Sequence, residues 1–120
     1  MLNKPKHNLF RNGKYALEGL IDITKNETSF KWQILLFVLG NILAWVLPVS
    51  FGYSAILSIS LFIPLLAEII NSAIERVVDL VTQDYHILAK NAKDAGAAIV
   101  LISLIVTALI WIATLIVGLK

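Results

Sequence analysis

Residues 32–67 read WQILLFVLGNILAWVLPVSFGYSAILSISLFIPLLA, 36 positions without a single Asp, Glu, Lys or Arg. As one helix the run would measure roughly 54 Å, against a hydrocarbon core of about 30 Å. The sequence divides it. Pro48 cannot donate to a helical ladder, and Pro48, Ser50, Gly52 and Ser54 together supply a turn. The stretch therefore predicts a first membrane span over residues 30–47. It also supplies the apolar part of a second helix over 53–83, where Pro64 is a kink that frees a backbone carbonyl. A second charge-free run, residues 95–119, has 25 positions and predicts a third span over 93–118.

The rest of the composition agrees. Of 120 residues, 58% are hydrophobic and only 15% charged, below the roughly 25–35% that a soluble surface carries. A soluble domain of this size is excluded, because its apolar surface would have nowhere to hide from water, and the same excess excludes disorder. An all-α integral membrane protein remains. Net charge is +2, and the basic residues form no stripe interleaved with aromatics, so nucleic acid is not an expected partner. There is no cysteine, hence no disulfide framework, thiolate metal site or thiol nucleophile. The first 31 residues are polar and amphipathic, so no cleavable signal peptide is read.

Residues 5–26 predict an amphipathic surface helix. Leu9, Phe10, Gly13, Ala16, Leu17, Leu20 and Ile21 share one side; Arg11, Lys14, Glu18, Asp22 and Lys25 share the other. Such a helix lies in the interface, with basic residues near lipid phosphates. His7 reads as a tail residue. Residues 26–29 read as a turn, and 84–92 as a short polar connection. Residues 1–31 hold six Lys/Arg and the connection 81–94 holds Lys90 and Lys93, whereas the opposite side has none in 48–54 and only Lys120 at the end. The positive-inside rule then puts the N-terminus in the cytoplasm and the C-terminus outside. Three spans with polar faces are expected to associate as a homo-oligomer, and the small residues around Gly96 allow close approach.

The second helix carries the chemistry. Glu68, Asn71, Ser72, Glu75 and Asp79 share a face roughly 100° wide. Glu68 and Glu75 stand about 10 Å apart along the axis, so the face leads from inside the apolar zone out to water. A carboxylate within a span costs a few kcal/mol even on the gentler scale. Three roles justify that cost: a proton or cation relay, a metal ligand, or a general base whose burial raises its pKa toward neutrality. Glu27, in the turn before the first span, is at a depth similar to Glu75, and two carboxylates there suit Mg²⁺ with nucleotide phosphates. Lys93-Asp94, at the start of the third span, suits phosphate. Arg76 either balances the acidic face or touches lipid phosphate. There is no GxxxxGK[ST] loop, GxGxxG or HExxH. From the residues alone, enzyme and transporter both stand.

The stretch Ala67-Glu68-Ile69-Ile70-Asn71-Ser72-Ala73-Ile74-Glu75-Arg76-Val77-Val78-Asp79 resembles the signature E-x-x-N-[ST]-A-I-E-x-x-x-D of the prokaryotic diacylglycerol kinase family. Asp84-Tyr85-His86, residues 92–98, Gly19-Leu20 and Asn26-Glu27-x-x-Phe30 match its other blocks, so the likeness covers nearly the whole chain. The resemblance implies a homotrimeric lipid kinase transferring the γ-phosphoryl group of Mg-ATP to diacylglycerol in the bacterial cytoplasmic (inner) membrane. Glu68 corresponds to the general base and Asn71 to the residue beside it. Glu27 and Glu75 correspond to the carboxylates that bind the metal on ATP. Tyr15, Asp84, Tyr85, His86, Lys93 and Asp94 correspond to nucleotide-contacting positions, along with Glu27 and Glu75. The sequence departs from the pattern at Asn8, Lys31, Gln33 and Ala97, which bears on lipid-side contacts. A sister branch acts on undecaprenol instead. A proton-coupled transporter or channel subunit using Glu68 as a relay is the reading from another class.

Overall fold

In the computed structural model, residues 8–120 are described, and every regular element among them is helical. The order is α1 (Leu9–Asn26), α2 (Thr28–Val46), α3 (Phe51–Ser60), α4 (Phe62–Val81) and α5 (Ile87–Gly118). The expected start of the surface helix at residue 5, and His7, lie outside the described residues. Asn8 caps α1, its side chain accepting from the Arg11 amide at 3.2 Å. One extended residue, Glu27, joins α1 to α2, so the expected turn of four residues is a joint of one. Leu47 ends α2 in the extended conformation that a following proline imposes.

The helix expected over 53–83 is two helices. It breaks at Leu61, whose amide turns back to Ser58 O at 3.2 Å rather than continuing the ladder. Pro64 explains the break. With no N–H, it leaves the carbonyl of Ser60, four residues earlier, without its helical donor. Thr107 of α5 lies beside that carbonyl, its hydroxyl, with one proton to give, 2.9 Å from Ser103 O in its own helix and 3.4 Å from Ser60 O, while Trp111 Nε1 donates to Ser60 Oγ at 3.0 Å. A freed carbonyl at membrane depth is tolerated when a neighbouring helix satisfies it. The opposite side of the break meets Gly40 of α2, where a Cβ would approach Leu61 Cδ1 to 2.8 Å. Phe37 of α2 packs edge-on against Phe62, ring centroids 4.8 Å apart.

Three continuous stretches are long and apolar enough to cross a membrane: Thr28–Val46, Phe51–Val81 and Ile87–Gly118. With the absence of strands among the described residues, this is the expected all-α membrane architecture. α5 packs chiefly along α4, and α2 along α3 and α4. Among the described residues the buried hydrophobic ones are only Ile23, Phe30, Ala44, Leu57 and Ala67, so most apolar side chains face outward, as a bilayer permits. The last helix begins earlier than expected. His86 caps it at Ile87, not near Lys93, its Nδ1 accepting from Leu88 N at 3.1 Å. The connection is therefore residues 82–86. Lys93 and Asp94 lie two turns inside α5, away from the free amides of its N-terminus. At 32 residues, α5 measures about 48 Å. Its charged first turns project beyond a core of about 30 Å.

Candidate active site

α4 presents its polar face inward. Ala67, Glu68, Asn71 and Ser72 are buried, at the one-turn spacing that places them along a single stripe. Glu68 is 6% exposed, and Ser29 in the first turn of α2 donates its hydroxyl to Glu68 Oε1 at 2.9 Å. One turn on, Asn71 Nδ2 donates to Glu75 Oε1 at 3.3 Å. Asn71 thus contacts Glu75, not Glu68. Two buried oxygens here lack any hydrogen-bond partner, Asn71 Oδ1 and Ser72 Oγ. Such groups cost free energy unless something else satisfies them. α5 reaches this stripe through Gly96, where a Cβ would collide with Asn71 Oδ1 and lie 3.5 Å from Ile74 Cδ1.

Farther toward the charged end, ion pairs tie the helices together. Arg76 Nε bonds Glu27 Oε1 at 3.0 Å, and its Nη1 pairs with Asp22 of α1. Arg76 therefore balances acid from α1 and the α1–α2 joint. The Asp22 carboxyl is held below its ordinary range chiefly by the hydrogen bond from Arg76. Lys93 Nζ meets Asp79 Oδ1 at 2.7 Å, and Lys90 meets Asp94 at 2.6 Å. Lys93 is positioned by Asp79, not by helix N-terminal amides.

Of the residues singled out from sequence, Asp84, Tyr85, His86, Lys93 and Asp94 line one open cleft of about 380 Å³ beside Val78 and Lys90. Glu68, Asn71 and Glu75 form the inner stripe, and Glu27 is joined to α4 through Arg76. Tyr15 stands exposed on α1, seven residues before Asp22, and does not line that cleft. No group of three or more His, Asp or Glu among the described residues is placed to hold a metal by itself. The carboxylates of Glu27 and Glu75 are nevertheless the kind of hard donor that Mg²⁺ takes when phosphates complete its shell, with Glu27 Oε1 bonded to Arg76 here. Sequence reasoning missed Ser29 and the pairing of Asp22 with Arg76. Both contacts join residues far apart in the chain, and neither residue type is distinctive.

A sequence profile described as prokaryotic diacylglycerol kinase matches residues 14–115. The chain is 38% identical over 104 residues to a diacylglycerol kinase of Pseudomonas aeruginosa, covering 87% of this chain and 84% of that one. It is 37% identical over 97 residues to a diacylglycerol kinase of Escherichia coli K12, covering 81% and 80%. It is 33% identical over 103 residues to one from Haemophilus influenzae, covering 86% and 87%.

Proposed function

The chain belongs to the prokaryotic diacylglycerol kinase family, and from that premise we propose that it transfers the γ-phosphoryl group of ATP to diacylglycerol, giving phosphatidate and ADP. The observation that carries the reading is the polar stripe of α4. It begins with a buried carboxylate at Glu68, within the apolar helices, and runs through Asn71 and Glu75 toward the open cleft at residues 84–94. Such a stripe gives a lipid hydroxyl entering from the bilayer and a nucleotide arriving from water a place to meet.

In this reading Glu68 is the general base. It takes the proton of the lipid hydroxyl as that oxygen bonds the γ-phosphorus and the bond to the bridging oxygen of ADP breaks. Asn71 and Glu75 act as a bonded pair that orders the middle of the site. Glu27 and Glu75 would hold Mg²⁺, which when bound neutralises phosphate charge. Asp84, Tyr85, His86, Lys93 and Asp94 contact the nucleotide, as does Tyr15 if α1 closes over the cleft. Catalysis rests on positioning and charge neutralisation. The protein acts as a homotrimer in the bacterial inner membrane, with its N-terminus cytoplasmic and its C-terminus outward.

The test is phosphorylation by the full chain in mixed micelles with Mg-ATP, with diacylglycerol and undecaprenol compared side by side. Diacylglycerol is expected to be the better acceptor. Glu68→Gln should lower turnover about 10²–10⁴-fold while nucleotide affinity is kept. Folded protein that labels neither lipid would refute the kinase reading.

A further inference from the structure

Glu68 receives one hydrogen bond among the described residues, from Ser29 Oγ to Oε1 at 2.9 Å. The neighbours that could compete are otherwise engaged or turned away. Asn71 gives its amide to Glu75, and Ser72 Oγ reaches no acceptor or donor. The family pattern over this segment specifies Asn26, Glu27 and Phe30 and leaves position 29 open, so the resemblance assigns Ser29 no role.

We infer that Ser29 is a positioning residue for the carboxylate of Glu68: by binding Oε1 it fixes the plane of the carboxylate and leaves Oε2 to receive the substrate proton. The terminal torsion of a glutamate is broad, so an untethered carboxylate would sample many orientations. A general base works only within hydrogen-bond reach and alignment of the proton it takes. Misplacement of about 1 Å can cost two orders of magnitude. Ser29 is suited to the task because its backbone is held in a helix. It is the second residue of α2, and the adjacent Phe30 is 3% exposed. A hydroxyl donating to a carboxylate is a charge-assisted bond, stronger than one between neutral groups. The role is indirect, since Ser29 acts through Glu68, and the inference rests on Glu68 being the base.

The experiment compares the full chain in lipid bilayers carrying diacylglycerol with its Ser29→Ala, Ser29→Thr, Ser29→Val and Glu68→Gln variants. kcat and the KM values for ATP and lipid are measured for each. Thr and Val share a shape and differ in the donor, and Ser29 is exposed enough to accept the added methyl. This comparison holds even where Ala perturbs folding. Ala and Val should lower kcat about ten-fold and leave the KM for ATP within about two-fold; Thr should stay within about three-fold of the unaltered protein in kcat. Wild-type kcat in Ala and Val overturns the inference, as does a Thr variant as slow as Val. Failure of the underlying reading looks different: the unaltered protein labels no lipid, or Glu68→Gln runs at the wild-type rate.

Discussion

Residue by residue, the site depends on what is missing as much as on what is present. Gly96 has no Cβ, and that absence lets α5 approach the Asn71 carboxamide. Alanine is otherwise well suited to a helix interior, better than glycine by about 1 kcal/mol. Propensity therefore predicts stabilisation by Gly96→Ala, whereas the contact predicts the reverse. The carboxamide would have to move, and overpacking of this kind costs about 1–3 kcal/mol. Gly96→Ala should therefore reduce lipid phosphorylation by about ten-fold or more. In an Asn71→Ala background, where the colliding group is gone, the same change should cost far less. Equal losses in both backgrounds would show that Gly96 acts elsewhere. The neighbouring carboxylates give a second prediction. Glu75→Gln should raise the Mg²⁺ concentration needed for half-maximal rate, because one hard charged donor becomes neutral. An unchanged metal titration would remove Glu75 from that role.

At the level of elements, two joints set the arrangement. The first is the Arg76 clamp, which holds α1 and the Glu27 joint against α4. The Asp22 carboxyl is lowered from an ordinary 3.8 by its bond to Arg76. A group with a depressed folded pKa contributes above its unfolded value and loses that contribution as pH falls through the folded value. The separation of spin labels on α1 and α4 should hold constant at neutral pH and widen only in acid, as pH falls below the ordinary carboxylate range through the depressed Asp22 value. Arg76→Ala should show the wide separation already at neutral pH, and a constant separation in that variant would rule out the clamp. The second joint is the break between α3 and α4. Trp111→Phe removes the donor to Ser60 Oγ and should cost about 0.6–1.7 kcal/mol of stability in detergent. These joints also mark where sequence reading stops. Pro64 announced a kink and a freed carbonyl, because proline chemistry is local; it could not say that Thr107 and Trp111 of α5 pack against that break. Glu68, Asn71, Ser72 and Glu75 were legible as one face because helical spacing is fixed. Their partners Ser29 and Gly96 were not, because they come from other helices. The start of α5 was misjudged because Lys90, Asn91, Lys93 and Asp94 break up the apolar pattern of its first turns, while the cap that begins the helix is a histidine, an uncommon choice.

For the whole molecule, length and charge together bear on the proposed orientation in a bilayer. The pieces α3–α4 and α5 are longer than a hydrocarbon core requires, and both carry their excess at the same end. Asp79, Lys90, Lys93 and Asp94 gather there with the cleft. The other end, around Pro48 and Gly118, has no charge but Lys120. Van der Waals closure there comes from Gly118, where a Cβ would sit 3.2 Å from Val49 Cγ1 and 3.3 Å from Tyr53 Cδ2. Under the proposed reaction a phosphoryl donor supplied from the cytoplasm would need the charged end inside, and the positive-inside rule points the same way. The two arguments are independent, since one comes from chemistry and the other from insertion. The chain has no cysteine, so single cysteines report on orientation without background. In intact cells a membrane-impermeant maleimide that crosses the outer membrane should label Lys120→Cys directly. It should label Gln83→Cys only after the inner membrane is permeabilised. The reverse pattern would place the cleft away from ATP, and no choice of catalytic residues could then rescue the kinase reading.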